Sequence, residues 1–331
     1  LSLHDALPIL DIAQDGSLWL GMYGGGLDRF DPVTRKFTHF MPEQDNPNSL
    51  VSEWVYVVFI DSSGKVWVGG EGGLSCLDPK TGKFTNYNTG KLDFNTRAIY
   101  QDQHGTVWIG TNGGLKRFNP ESQTFTEYNT SDGLAGNMVV SIIADDQGFL
   151  WIGTNKGLSK FDPKRETFRN YDARDGLQGN QFRRNAVYKT PDGELYFGGV
   201  NGFNSFFPEK VVDNPHIPPI ALTDFQLFNR SVSIGGDSPL QQHISVAKQI
   251  TLSHDQSVFS IEFAALNYRD SAKNQYAYMM EGFDEDWIYV GSNRRFATYT
   301  NLDPGAYIFR VKGANNDGLW NEQGTSIAVV I

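Results

Sequence analysis

Polar and aromatic side chains of the kinds that bind sugars recur along the N-terminal two thirds of the chain. Amides, carboxylates and guanidinium groups hydrogen-bond hydroxyl groups, and aromatic rings stack on the apolar faces of sugar rings. We expect a ligand-binding surface to be formed by Tyr23, Glu53, Trp54, Asn95, Arg97, Asn112, Asn137, Asn155, Asn180, Gln181, Arg183, Arg184 and Asn201. The arginine pair at 183 and 184 would favour an acidic or sulfated sugar, or would form an ordinary solvated surface pair.

Other kinds of chemistry have little support in the sequence. The six histidines are scattered without an HxH or HxxxH spacing, so we infer no metal site and no cofactor. Cys76 is the single cysteine, and its context predicts a small core residue rather than a nucleophile. The net charge of -10 argues against binding to nucleic acid. No apolar run approaches the roughly 20 residues that span a bilayer.

A short phrase is repeated along the same part of the chain. Its clearest copies are DSSGKVWVGGEGGLSCLDP, DQHGTVWIGTNGGLKRFNP and DDQGFLWIGTNKGLSKFDP, which begin at Asp61, Asp102 and Asp145. A glycine stands three residues before the aromatic residue of each copy, and another stands two residues after it. The aromatic residues are 48, 41, 43 and 45 residues apart, at Trp19, Trp67, Trp108, Trp151 and Tyr196. Five copies at this spacing indicate an internal repeat.

Each copy is predicted to form four short strands. VVSIIADD is apolar and β-branched, as expected of a buried strand, and LWIGT alternates. LSKFDP forms the third strand, and TFRNYD forms an outer strand. One such sheet cannot bury both faces, so the sheets are expected to stack around an axis as a β-propeller, with the repeated aromatic residue between blades. We expect blades at about 10–50, 51–94, 95–137, 138–180 and 181–208.

The N-terminus and the C-terminal third differ from the repeats. Residues 1–9 fit no copy and match the in-frame translation of a common sequencing-adaptor oligonucleotide, so we expect an artefact there. Five blades would then be a minimum, and we expect a larger propeller that is truncated at its N-terminus. Residues 209–220 form a proline-rich linker. Residues 221–331 contain roughly seven alternating segments and predict an immunoglobulin-like β-sandwich, which makes the whole chain all-β.

In a propeller, the candidate binding residues would fall in loops that share one face. The segments SDGLAGN at 131–137 and RDGLQGNQFRRN at 174–185 connect an outer strand with the next inner strand. Alternatively, the Asp-Gly pairs in these segments close turns and the asparagine side chains cap the backbone. The residues that recur in every copy are assigned to the core and to turns.

The two parts of the chain together resemble one known arrangement. The phrase LWIGTNKGLSKFDP is similar to the two-component regulator propeller repeat. The C-terminal part resembles the Tyr-rich Y_Y_Y domain at Tyr276, Tyr278, Gly282, Trp287, Tyr299, Tyr307 and Trp320. This resemblance covers residues 10–331 and implies the periplasmic sensor region of an inner-membrane histidine kinase, often within a hybrid two-component system.

The resemblance also implies how such a region works. Its ligand would be an oligosaccharide or another small extracellular molecule, the sandwich would form a homodimer, and a membrane helix would follow just after residue 331. Phosphotransfer would take place outside this chain, so we expect no catalysis here.

Two alternative functions are a secreted glycan-active enzyme and a protein-binding scaffold. DQHGTVW resembles the Asp-box of sialidases, but its spacing from Asp to Trp is one residue longer. The arginine triad and tyrosine nucleophile of sialidases cannot be assembled from the sequence.

Overall fold

The computed structural model describes residues 9–87 and 94–331. Two compact units divide between Val211 and Val212. Within the described residues the regular structure is all-β, as predicted, apart from single turns of 3-10 helix at Ala173–Asp175, Pro208–Lys210 and Ser271–Lys273. No helix in this part of the chain has the length and apolarity needed to cross a membrane. The expectation that residues 1–9 are an artefact concerns residues that, apart from Ile9, lie outside the described range.

In its described residues, the first unit contains five antiparallel sheets, which we call blades 1 to 5. Blades 1 to 4 have four strands each, in chain order across the sheet, and blade 5 has three. Blade 1 consists of β1 (Ile9–Ile12), β2 (Leu18–Met22), β3 (Gly26–Asp31) and β4 (Lys36–Phe40), and blade 2 of β5 (Val55–Ile60), β6 (Val66–Gly70), β7 (Gly73–Asp78) and β8 (Lys83–Tyr87). Blade 3 consists of β9 (Thr96–Gln101), β10 (Val107–Thr111), β11 (Leu115–Asn119) and β12 (Thr124–Tyr128), and blade 4 of β13 (Val139–Ala144), β14 (Leu150–Thr154), β15 (Leu158–Asp162) and β16 (Thr167–Tyr171). Blade 5 consists of β17 (Phe182–Lys189), β18 (Leu195–Gly199) and β19 (Gly202–Phe206).

The blades stack through their first strands. β5 packs against β1 and β9, and β13 packs against β9 and β17. β9 also contacts β17, which belongs to a blade two places away, so the first strands lie on the inner side of the stack. Trp19, Trp67, Trp108 and Trp151 each lie in a hydrophobic cluster that joins one blade to the next. These clusters confirm propeller blades with the repeated tryptophan between neighbouring blades, whereas Tyr196 of blade 5 lies in none of these four clusters.

The aspartate side chain at the start of the repeated phrase accepts hydrogen bonds both from a turn and from the tryptophan side chain. In blade 4, Asp145 Oδ1 accepts hydrogen bonds from the main-chain N–H groups of Gln147 and Phe149, both at 3.0 Å. Its Oδ2 accepts from Trp151 Nε1 at 2.9 Å. Blades 2 and 3 repeat this set with their own aspartates, Asp61 and Asp102. The aspartate therefore fixes the indole orientation between blades.

The glycine two residues after the tryptophan lies where the next blade comes closest. A Cβ atom on Gly69 would lie 2.3 Å from Thr96 Cγ2 in blade 3, and one on Gly110 would lie 2.6 Å from Val139 Cγ1 in blade 4. Atoms cannot approach this closely, so the repeated glycine is required by the packing of neighbouring blades.

The second unit is a sandwich of two sheets. Its strands are β20 (Ile220–Leu227), β21 (Arg230–Ser231), β22 (Gln249–Thr251), β23 (Val258–Ala265), β24 (Gln275–Glu281), β25 (Ile288–Gly291), β26 (Phe296–Thr300), β27 (Ala306–Ala314) and β28 (Trp320–Val330). One sheet has the order β21-β20-β23-β26 and the other the order β22-β28-β27-β24-β25. One core cluster, which includes Phe225, Phe263, Tyr276 and Phe309, is shared by both sheets. The strands number more than the seven expected because the segment 275–290 turns at Gly282, with a φ of 92°, and because β21 is a separate two-residue strand.

Candidate functional site

The first strands of blades 2, 3 and 4 each carry a β-bulge. In blade 2, Val55 and Val57 pair with the adjacent residues Gly70 and Gly69, which leaves Tyr56 between two pairs. The same irregularity isolates Arg97 in β9 and Val140 in β13. A bulge bends its strand and redirects the extra side chain. The three side chains therefore occupy equivalent places on the inner strands of the propeller.

Blade 5 has a longer insertion at the corresponding place. Phe182 pairs with Gly199 and Val187 with Phe197, so residues 183–186 lie opposite Gly198 alone. The inserted residues include Arg183 and Arg184, which are both exposed. Asn185, within the same insertion, has a φ of 52°. The insertion therefore displaces the arginine pair from the regular strand.

These bulges bring an aromatic and cationic group of side chains together. The guanidinium carbon of Arg184 lies 4.8 Å from the centroid of the Tyr56 ring, and that of Arg97 lies 5.6 Å from it. The Tyr23 ring stacks on Tyr56 at 5.9 Å and meets Trp54 edge-on at 4.5 Å. Arg97 Nε also donates to Asn112 Oδ1. We call this group the Tyr56 cluster, and it consists of Tyr23, Trp54, Tyr56, Arg97, Asn112 and Arg184.

The Tyr56 cluster has a buried base and an accessible top. Tyr56 is only 8% exposed, whereas Tyr23 is 58% exposed. Burial raises the pKa of the Tyr56 hydroxyl, Glu71 and Tyr23 raise it further, and Arg97 and Arg184 oppose the rise. The hydroxyl therefore stays protonated at neutral pH and can donate a hydrogen bond. The cluster can offer a ring for stacking, a phenol donor and two guanidinium groups to one ligand.

Other predicted site residues are used by their own loops. Asn137 Oδ1 accepts from Thr130 N at 2.8 Å, and Asn180 Oδ1 accepts from Ala173 N at 2.8 Å. Both bonds close the loop that enters the next blade. This geometry is the capping role that the sequence left open as an alternative, and any contact of these two side chains with a ligand stays a prediction.

The remaining candidates also lie outside the Tyr56 cluster. Asn95 Oδ1 accepts from Gly72 N at 2.8 Å, and Asn201 Nδ2 donates to the Gln178 main-chain oxygen at 3.3 Å. The Asn155 side-chain oxygen is buried and has no hydrogen-bond partner among the residues that the structure describes. Three further candidates, Glu53, Gln181 and Arg183, are exposed.

Two main-chain carbonyl groups of these candidates also bind neighbouring loops. The Glu53 carbonyl accepts from Gly24 N at 3.1 Å and Gly26 N at 2.9 Å, and the Gln181 carbonyl accepts from Val200 N at 3.2 Å. Five of the thirteen residues predicted from sequence lie in the Tyr56 cluster as defined above: Tyr23, Trp54, Arg97, Asn112 and Arg184.

Sequence analysis did not identify Tyr56 and Glu71 as candidate site residues. Tyr56 lies within VYVVFI, a run that has the composition of a buried strand. Its position two residues after Trp54 and in the same place as Arg97 in blade 3 is the signal that could have identified it. Glu71 follows directly after β6, in the loop between the two middle strands of blade 2.

Cys76 lies in the core, as predicted. It is 7% exposed in β7 and belongs to the cluster between blades 2 and 3. Burial raises the pKa of its thiol to about 12, so almost no thiolate forms at neutral pH.

Comparisons with known proteins give two family matches. The two-component regulator propeller family matches residues 93–113 and 133–156, and the Y_Y_Y domain family matches residues 267–331. Histidine kinase P4 of Formosa agariphila is 33% identical over 332 aligned residues. That alignment covers 96% of this chain and 24% of the kinase, so the chain spans about a quarter of the length of this curated relative.

Solved structures of extracellular domains of hybrid two-component systems from B. thetaiotaomicron are also similar. One is 24% identical, with a TM-score of 0.46 over 97% of this chain and 49% of that chain. Another is 21% identical, with a TM-score of 0.48 over 97% of this chain and 56% of that chain. Over these matched residues, the chain is similar to proteins that combine two-component regulator propeller repeats with a Y_Y_Y domain.

Proposed function

We propose that the chain is the extracytoplasmic ligand-sensing region of a two-component sensor histidine kinase and that it binds an oligosaccharide at the Tyr56 cluster. The similarity to a histidine kinase along 96% of the chain supports the first part. The observation that carries the second part is the Tyr56 ring, which contacts the guanidinium groups of Arg97 from blade 3 and Arg184 from blade 5.

The chemistry of the cluster suits a sugar that carries an anionic group. The exposed ring of Tyr23 can stack on the apolar face of a pyranose. The guanidinium groups can form paired, charge-assisted hydrogen bonds with a carboxylate or sulfate, which are about twice as strong as neutral ones. Arg97 is held in place by its bond to Asn112, which reduces the conformational entropy that ligand binding would cost.

A ligand bound at the Tyr56 cluster would contact side chains from several blades at once. Tyr56, Arg97 and Arg184 come from blades 2, 3 and 5, so a molecule that contacts all three favours one arrangement of these blades. Signalling requires two conformations with different affinities for the ligand. In this proposal the change passes through the sandwich, which forms a homodimer, to a membrane helix beyond residue 331 and then to the kinase. The region lies in the periplasm, attached to the inner membrane.

Binding measurements on the purified chain test the proposed site. A glycan array identifies the ligand, and calorimetry measures its affinity for the chain and for Arg97→Ala and Arg184→Ala. A charged hydrogen bond contributes about 1.5–3 kcal/mol, so each variant should bind about 10- to 150-fold more weakly. Arg165→Ala is the matched control, because Arg165 is an exposed arginine in the turn between β15 and β16 of blade 4. Unchanged affinity in both cluster variants would exclude the Tyr56 cluster as the site.

The other functions give different results. Release of reducing sugar from a bound glycan would indicate an enzyme. The gene downstream of residue 331 separates a sensor from a secreted scaffold: a membrane span of about 20 residues followed by a kinase supports the sensor, and a stop codon supports the scaffold.

A further inference from the structure

The second unit has an open side where both of its sheets end. Among residues 212–331, β25 pairs with β24 alone and β26 pairs with β23 alone. A turn, in which Arg294 N donates to the Gly291 carbonyl at 3.1 Å, carries the chain from β25 to β26. One side of β25 therefore presents main-chain N–H and C=O groups to which a further strand can bind.

The sequence of this edge does not protect it from pairing. β25 has the sequence IYVG and contains no lysine, no proline and no charged residue, which are the features that usually block an exposed edge. Three aromatic residues on or beside the two edge strands are also exposed, namely Phe283 at 55%, Tyr289 at 65% and Phe296 at 44%. Exposed apolar area of this kind is stabilised when another protein surface covers it.

Charged residues of opposite sign flank β25. Glu285 and Asp286 lie before the strand, Arg294 and Arg295 lie after it, and all four are exposed. If two copies of β25 paired in parallel, like charges would lie side by side, which is unfavourable. In an antiparallel pair, the acidic flank of each copy meets the basic flank of the other. The edge is therefore complementary in charge to a second copy of this chain, in one direction only.

The two faces of β25 restrict the register of such a pair. Ile288 and Val290 are half-buried and pack against the core of the sandwich, whereas Tyr289 is exposed on the other face. Residues that lie opposite each other in an antiparallel pair share one face of the sheet. A pair centred on Val290 meets this condition and places Tyr289 opposite Gly291, which has no side chain and leaves room for the ring. The same register places Glu285 opposite Arg295 at the flanks.

We propose that the free edge of β25 binds the β25 edge of a second copy of this chain, in the antiparallel direction and centred on Val290. The two five-stranded sheets then form one continuous sheet. The proposal rests on the proposed function, in which the sandwich forms a homodimer, and it names the surface through which the dimer forms. Main-chain hydrogen bonds between the two strands provide affinity, and the charged flanks select the direction.

Charge reversal at the flanks tests this surface. Sedimentation equilibrium of the purified chain, without any ligand, measures the dissociation constant of the dimer. Glu285→Arg and Arg295→Glu each replace attraction by repulsion at two symmetry-related places, so each variant alone should dimerise at least about tenfold more weakly. A mixture of the two variants should regain the original affinity, because every flank then meets a charge of opposite sign. Arg230→Glu is the matched control, since Arg230 is an exposed arginine in β21, at the opposite end of the four-stranded sheet.

Disulfide formation tests the register. In the proposed pair the two copies of position 290 face each other with their Cα atoms about 4.5–5.5 Å apart, a distance that a disulfide can bridge. Val290→Cys should therefore give a covalent dimer under mild oxidation. Ile288→Cys is the control, because it lies on the same face of β25 but does not face its own copy. Cys76 is 7% exposed in the propeller core and should not react.

Three results would overturn the proposal. They are a chain that stays monomeric at about 100 µM, a dimer whose dissociation constant the flank variants leave unchanged, and cross-linking through Ile288→Cys but not Val290→Cys. None of these results bears on the Tyr56 cluster, because the measurements contain no ligand. Conversely, unchanged glycan binding in Arg97→Ala would exclude the Tyr56 cluster and leave the dimer in place.

Discussion

At the scale of single residues, the repeated phrase is a set of hydrogen bonds around one carboxylate. Asp61, Asp102 and Asp145 each bind two main-chain N–H groups of a turn and the indole of the following tryptophan. Blade 5 replaces the aspartate with Thr190, whose hydroxyl accepts from Glu194 N at 2.9 Å.

Loss of this carboxylate should destabilise the propeller strongly. In Asp145→Ala, two turn N–H groups and the Trp151 indole lose a charged acceptor in a site that is 6% exposed, so we expect a loss of about 2–4 kcal/mol in the free energy of unfolding. Asp146→Ala is the matched control, because Asp146 is exposed and pairs with Lys189 on the surface, which predicts a loss below about 1 kcal/mol. Urea unfolding followed by tryptophan fluorescence measures both, and equal losses would contradict the assigned role.

The Cys76 thiol should resist alkylation while the propeller is folded. Its pKa of about 12 leaves little thiolate at pH 8, so iodoacetamide should react far more slowly with the native chain than with the chain in urea. Because the folded state favours the protonated thiol, its contribution to stability is complete below about pH 9 and declines as the pH rises toward 12. Native labelling as fast as labelling in urea would show that the thiol is accessible.

At the scale of elements, strand pairing explains which site residues the sequence could identify. The blades were predictable because turn glycines and alternating apolar residues mark each strand locally. The bulges were not, because a bulge depends on the register between two strands, and β5 has the composition of a regular buried strand. Sequence analysis therefore did not select Tyr56, whereas it selected Arg97 because Arg97 lies near the loop that enters blade 3.

The blade-to-blade contact at Gly110 can be tested by paired substitutions. Gly110→Ala would place a Cβ atom 2.6 Å from Val139 Cγ1 and 3.0 Å from the Val139 carbonyl, so we expect a loss of about 1–3 kcal/mol. Val139→Ala removes the closest clash but also leaves a cavity. The double variant should therefore lose less stability than the sum of the two single variants, as measured by urea unfolding. Additive losses would show that the two residues do not contact each other across the blades.

At the scale of the whole molecule, the internal repeat made it possible to predict the propeller architecture from the sequence. Only a neighbouring blade completes the core of each sheet, and five copies of one pattern show this directly. The residue at which the second unit begins is harder to predict from sequence, because the asparagine and proline residues near position 214 have the composition of a linker. In the structure, the second unit begins at Val212 and these residues are part of it. Asn315, which is fully buried, donates to the Asn214 carbonyl at 2.8 Å and to the His216 carbonyl at 2.9 Å.

The sandwich should therefore fold alone, and residues 212–220 should contribute to its stability. A fragment of residues 212–331 retains the core cluster and the asparagine contacts. A fragment of residues 221–331 lacks the carbonyl partners of Asn315 and the Asn214 side chain, which donates to Asn267 at 3.2 Å and to Asn316 at 2.9 Å. A buried polar group without a partner costs about 1–3 kcal/mol, so we expect the shorter fragment to be about 2–5 kcal/mol less stable. Circular dichroism during urea unfolding compares the two, and equal midpoints would mean that these contacts only position the chain without stabilising the sandwich.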